Sequence, residues 1–263
     1  MKNWKESWAR ARRRIGLLTC TLGLGACAVI PAIGGDSWRE EVLLHDGRKI
    51  MAERSQIYGG SSEVGQPSAV TRQTVTFKLP DSGRTLSWTS GFDPNLGRTN
   101  LNPLALHIVN DTPYLVAVPN LCLAYNKWGR PNPPYVIFKY VGANWQRIAL
   151  EQLPAQLTTF NLVISYGSRE AREIALQAPG YVSAEGVREE NGNLQQPEYK
   201  SILREPVPEK ILGCPVEFTN GKGTWMSGDW FSGEKTLSSC KQVCNRKNFD
   251  EKTCPCGIFF KEE

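Results

Sequence analysis

The chain predicts a mainly β protein: antiparallel hairpins forming a sandwich or open barrel, short helices at the end of the body, and a small disulfide-stapled α/β module at the C-terminus. Three observations predict it. Apolar–polar alternation recurs, as in Val75-Thr76-Phe77-Lys78-Leu79 and Val136-Ile137-Phe138-Lys139-Tyr140, and a period of two marks a half-buried strand. Turn formers separate these runs at regular spacing, which favours antiparallel architecture. Five of the eight cysteines lie in the last fifty residues, the density of a stapled module.

Residues 38–44 and 48–54 flank His45-Asp46-Gly47, and an Asp-Gly pair suits a tight hairpin turn. Residues 74–79 and 85–89 flank Pro80-Asp81-Ser82-Gly83, a strong turn sequence. Residues 104–109 and 114–118 flank Asn110-Asp111-Thr112-Pro113, and residues 135–140 and 145–150 flank Val141-Gly142-Ala143-Asn144. Residues 161–166 read as one further strand. The pair spanning 135–150 is similar to half a propeller blade, but no second copy follows at a fixed period, which excludes a propeller. Helix is confined to the end of the body. Residues 169–177 precede Pro179-Gly180, Ser183 caps a helix running to 190, and 197–204 begins with a proline tolerated in a first turn.

The N-terminus carries an address. Six basic residues from Lys2 to Arg14 precede the apolar run 15–24, and small residues follow, the three-part layout of a secretory signal. Leu24-Gly25-Ala26-Cys27 resembles a bacterial lipobox. The resemblance implies cleavage before Cys27, diacylation of its sulfur and N-acylation of the new terminus. The apolar run is too short for a spanning helix, which needs about 20 residues. Cys20 follows Thr19, a poorer residue before a cut, and Arg12-Arg13-Arg14 lacks the bulky pair a twin-arginine signal expects. Ala28 after the cysteine implies outer-membrane sorting in enteric bacteria; inner-membrane retention is the alternative. The expected organisation is a signal over 1–26, a tether over 27–37, a β domain over 38–206 and a cysteine-rich module over 207–263.

Charge removes one class of function. The chain is formally +5, but residues 1–26 hold six of its 31 basic residues and one of its 26 acids, leaving 25 of each sign beyond. Nucleic-acid binders show a basic excess or stripe, so no nucleic-acid partner is expected.

One stretch of the body is recognisable. The segment Cys122-Leu-Ala-Tyr125-Asn-Lys-Trp128-Gly-Arg130-Pro-Asn-Pro-Pro-Tyr135 resembles a segment in a family of uncharacterised proteobacterial lipoproteins. Trp38-Arg39-Glu40-Glu41, Thr112-Pro113-Tyr114-Leu115-Val116 and Gln196-Pro197-Glu198-Tyr199-Lys200 fit the same family. The resemblance covers roughly 36–206, implies no activity, and leaves the tail as an addition. Physically, 125–135 reads as a proline-stiffened loop presenting Tyr125, Trp128, Arg130 and Tyr135. These are the residue types of binding hot spots; the competing expectation is that they pack over the sheet and brace carbonyls.

In the tail, Cys240-x3-Cys244 places two thiols on one helix face, with Ser238 or Ser239 as cap, and Cys254-x-Cys256 places two on one strand face. Spacing alone permits either pairing. The pattern partially resembles the cysteine-stabilised αβ motif of defensin-like peptides, which implies Cys240–Cys254 and Cys244–Cys256. Cys214, ahead of a candidate strand over 216–219, is left with Cys122 as its partner and would staple the tail to the body. Four thiolates would also satisfy a zinc site. However, the spacings are not the usual paired ones and an exported chain meets oxidants first, so the expectation is disulfides, no metal and no cofactor. Trp225, Trp230 and Phe231 lie among glycines and are expected to fill the module's core; gripping a sugar or a partner is the other use of such a loop.

Catalytic patterns are lacking. There is no nucleophile elbow, zinc-protease motif or phosphate loop. His45 sits at a turn and is expected to be solvated; His107, in an apolar strand, is expected to be a satisfied structural residue. Glu40 with Glu41 and Glu189 with Glu190 are expected to be exposed charges. The functional expectation is therefore a lipid-anchored, periplasm-facing envelope protein that binds a protein or glycan without catalysis. An envelope hydrolase whose residues converge only in the fold and a periplasmic immunity or inhibitor protein are the alternatives.

Overall fold

The backbone builds two facing sheets. A computed structural model describes residues 35–59, 68–164, 173 and 180–260. Leu24, Gly25, Ala26 and Cys27 lie outside those residues, as does the 169–177 helix apart from Glu173.

The first sheet has the order β11-β1-β2-β3-β4. Its strands are β1 (Gly35–Leu43), β2 (Lys49–Tyr58), β3 (Val70–Lys78), β4 (Thr85–Ser90) and β11 (Tyr181–Val182). All pair antiparallel except β11, which lies parallel to β1 with Arg39 opposite Tyr181. The second sheet, β10-β9-β8-β7, is antiparallel throughout and comprises β7 (Leu101–Val109), β8 (Thr112–Pro119), β9 (Val136–Val141) and β10 (Asn144–Ile148). Two short strands, β5 (Phe92–Asp93) and β6 (Arg98–Thr99), link the sheets. All four predicted hairpins are present. Asn110 and Asp111 take φ of 48° and 57°, and two positive φ values make the type I′ turn that matches strand twist.

Val42, Ala52, Val75, Phe77 and Trp88 of the first sheet meet Leu106, Ile108, Leu115 and Val136 of the second in one buried cluster. Each valine, leucine, isoleucine or phenylalanine among them stabilises by roughly 1.5–3 kcal/mol when fully buried. β7 and β8 are buried on both faces. Their outer face, with Leu104, Tyr114, Val116 and Val118, is covered by Leu153, Leu157, Ile164 and Ile202. A third layer of irregular chain therefore lies over the second sheet.

The expected strand at 161–166 is not one over 161–164; residues 165 and 166 lie outside the described residues. The Asn161 side chain takes the place of a ladder: its Nδ2 donates to Leu43 O (2.9 Å) and Leu106 O (2.7 Å), and Leu106 N–H donates to its Oδ1 (2.8 Å). Val163 N–H goes to the Glu40 carboxylate and Ile164 N–H to Asn191 Oδ1. Side chains consume the donors that a neighbouring strand would need.

Helix α2 (Ala184–Gly192) is capped by Ser183, whose hydroxyl accepts from Gly186 N–H at 3.1 Å. The helix expected over 197–204 is a single 3₁₀ turn, Pro197–Tyr199. Ile202 N–H instead donates to Thr158 O (2.8 Å), and Arg204 fans four bonds into the carbonyls of Leu150, Leu153, Pro154 and Leu157.

Candidate functional site

The recognisable segment sits where body and tail meet. Helix α1 (Leu121–Lys127) follows β8, with Tyr125 and Ala124 buried, so residues 125–127 are helical rather than loop. Cys122, on its first turn, bonds to Cys214 across a Cα–Cα distance of 5.2 Å, the staple expected from the cysteine count. Arg130 lies 5.0 Å over the Tyr125 ring and donates to Cys214 O (3.1 Å), Pro215 O (2.9 Å) and Asn126 Oδ1 (3.1 Å). Asn126 Nδ2 donates to Pro215 O at 2.9 Å, and its Oδ1 accepts from Glu217 N–H at 3.0 Å. The carbonyls that Arg130 braces are thus those of the tail. Desolvation raises the Tyr125 phenol above its ordinary pKa.

The turn 128–135 carries a cis Asn132–Pro133 bond, and Asn132 closes a pair of bonds with Val207, both 2.8 Å. Tyr135 is buried and its hydroxyl donates to Glu198 O (2.8 Å); burial pushes that hydroxyl's pKa upward. Trp128 is half-buried against Phe138, with the exposed Arg147 guanidinium 5.4 Å over its ring. Of the four loop residues singled out in the sequence, Tyr125 and Tyr135 are internal, Arg130 is spent on the tail, and Trp128 reaches the surface in part. Outside this turn lies a groove of about 410 Å³, walled by Pro131, Asn132 and Pro133, floored by Tyr135 and Ile137, and rimmed by Arg147, Ile148 and Leu150. Sequence inspection missed Arg147, which comes from the other strand of the β9–β10 hairpin.

The tail has its own core of Met226, Phe231, Val243, Phe249 and three cysteines. Strands β12 (Glu217–Thr219) and β13 (Trp225–Ser227) form its hairpin, with the one-turn helices α3 (Glu209–Leu212) before it and α4 (Asp229–Ser232) after it. Trp225 Nε1 donates to Asn95 O (2.7 Å) and Gly223 N–H to Asn95 Oδ1 (3.0 Å), a second tie to the body. Phe231 is fully buried as expected, whereas Trp230 is 61% exposed with Lys247 stacked on it at 5.7 Å.

Helix α5 (Leu237–Arg246) carries Cys240 and Cys244 on one buried face. Its cap is Thr236, with Ser239 closing the capping box, rather than Ser238 or Ser239. The bridges are Cys240–Cys256 and Cys244–Cys254, the crossed alternative to the defensin-like pairing. Residues 254–256 form no strand: Pro255 turns the chain and Cys256 opens α6 (Cys256–Phe259). The two sulfurs therefore do not share a strand face, and Pro255 also lacks the N–H of a ladder residue.

Glu40 is not an exposed charge. It is fully buried, accepts from Arg54 Nη1 (2.9 and 3.0 Å), from Trp38 Nε1 and from Val163 N–H, and Arg54 is itself 2% exposed. A buried carboxylate and a buried guanidinium are tolerated here only because they meet. Glu41, half-buried, holds Lys49 at 2.8 Å, and that hydrogen bond lowers its carboxyl pKa; Glu189 and Glu190 are exposed. His107 is buried, its Nε2–H donating to Thr159 O (2.9 Å), and desolvation lowers its pKa to about 4. His45 is half-buried rather than solvated, 6.4 Å from the His107 ring.

No family model, curated protein or solved structure matches this chain.

Proposed function

We propose that the protein is a lipid-anchored cell-envelope protein, tethered through an acylated Cys27 on the periplasmic side of the outer membrane, that binds another envelope component through the groove beside the 128–135 turn. One observation carries the compartment: every cysteine beyond residue 27 is paired, in three bridges that staple the tail internally and to the body. Bonds of that kind persist in oxidising compartments. The resemblance of 122–135 to proteobacterial lipoproteins and the lipobox-like Leu24-Gly25-Ala26-Cys27 agree with this placement. Among the described residues, no helix is long and apolar enough to cross a membrane.

The groove supports the binding role by its rigidity. Two prolines, the bonds of Asn132 to Val207 and the bond of Tyr135 to Glu198 hold its wall, and a preformed site avoids the ordering cost of binding. Arg147 supplies an exposed cation beside apolar walls, suited to a carboxylate-bearing or aromatic group on the partner.

The test is photo-crosslinking in intact envelopes. A photoreactive residue at Ile148 should capture one partner, and Arg147→Glu should reduce the yield at least tenfold while leaving the fold intact. An equal yield from Thr76, on the outer face of the first sheet, would contradict the groove.

A further inference from the structure

The tail's two inner bridges lie against each other and line a groove. Cys244 Sγ and Cys256 Sγ, which belong to different bridges, stand 3.5 Å apart, and the sulfurs of Cys244, Cys254 and Cys256 all fall within 4.8 Å of one another. Access is graded: Cys254 is half-buried, whereas Cys244, Cys256 and Cys240 are at most 2% exposed. All but Cys240 line a groove of about 820 Å³ whose other walls include Leu237, Phe249 and Phe260, with the Lys241 ammonium and the Asp250 and Glu251 carboxylates at its rim.

We propose that this groove is a thiol–disulfide exchange site, taking a thiol-bearing substrate at Cys254 and passing the electron pair inward. Thiolates attack disulfide sulfurs at the most accessible position and expel the other sulfur. A substrate thiolate RS⁻ bonds to Cys254 Sγ, the Cys244–Cys254 bond breaks, and the electron pair leaves on Cys244. That thiolate lies next to Cys256 Sγ; it bonds there, breaks Cys240–Cys256 and leaves Cys240 as thiolate. A second substrate thiolate attacks the substrate sulfur on Cys254, giving RSSR and the Cys254 thiolate. The two protons from the substrate thiols end on Cys240 and Cys254. Two RSH are oxidised to RSSR, one protein bridge is reduced, and Cys244–Cys256 replaces the two original pairings.

This relay assigns a reason to the 3.5 Å approach of two sulfurs that belong to different bridges. The Cys122–Cys214 bridge lies outside the groove and takes no part.

The experiment needs no variant. The intact protein is incubated with glutathione, acid-quenched, alkylated and mapped by mass spectrometry; a parallel reaction uses a dithiol peptide of matched thiol pKa. The expected products are a glutathione adduct at Cys254 and a new Cys244–Cys256 bridge, with Cys122–Cys214 unchanged. A rate for the peptide at least tenfold above that for glutathione assigns the groove to peptidyl thiols, and equal rates assign it to small thiols. An adduct at Cys254 without the new bridge overturns the relay. First reaction at Cys122 or Cys214, or no reaction short of denaturant, overturns the site.

Discussion

His107 and Glu40 show how single residues are fixed by what surrounds them. With a folded pKa near 4 against 6.5 in an open chain, His107 stays neutral while the unfolded state takes up a proton. Its contribution is complete above pH 6.5 and is lost as pH falls towards 4, with a slope of up to about 1.4 kcal/mol per pH unit. His107→Gln should flatten that interval of the stability–pH curve relative to the parent, read by urea unfolding at fixed pH values; parallel curves would show that His107 does not titrate this way. Glu40→Gln strands a buried guanidinium and should cost about 3–5 kcal/mol. A loss below about 1 kcal/mol in the same assay would mean that Arg54 finds another counter-charge. Part of this was legible in the sequence. Glu40 shares strand parity with Trp38 and Val42, so period two alone points it inward. The partner that makes the inward position tolerable, Arg54, is fourteen residues away, and no local pattern names it.

At the scale of elements, hairpins were the most legible feature, because turn residues and alternation are local. Segments that bond through side chains were not. Residues 161–164 have the composition of a strand yet give their N–H groups to Leu104 O, Glu40 and Asn191. Likewise, helix periodicity located α5 and its two cysteines, but Pro255 decides the course of residues 254–256 and hence the pairing. The tail's attachment rests on the Cys122–Cys214 staple, on the bonds of Arg130 and Asn126, and on the Asn95 bonds to Trp225 and Gly223. Cys122 and Cys214 are 92 residues apart, so the bridge restricts a long loop and should stabilise by about 4–5 kcal/mol. The Cys122→Ser/Cys214→Ser double variant is expected to lose that amount in urea unfolding and to expose the tail to early proteolysis. Unchanged cleavage kinetics would show that Arg130 and Trp225 suffice to hold the tail.

For the whole molecule, two sheets, an irregular covering layer and three bridges account for the described residues, and the proposed address lies in the N-terminal segment outside them. Fold class was legible because it rests on the repeated pattern of many residues. The groove was legible only in its proline wall, since Arg147 reaches it through the pairing of β10 with β9. Burial of β7 and β8 on both faces was foreshadowed by their near-continuous apolar runs, the pattern of strands covered twice. The layer that covers them, residues 150–164 and 194–203, has no regular period. The central claim, an anchored and oxidised envelope protein, is tested most directly by the intact mass of the membrane-extracted chain after thiol labelling, with and without reductant. The expected mass begins at Cys27, carries diacylglycerol and an N-acyl chain, and gains no label before reduction and six after it, matching the six paired cysteines. A chain that retains Met1, lacks acyl mass and takes label at the tail cysteines without reductant would contradict both the anchor and the compartment.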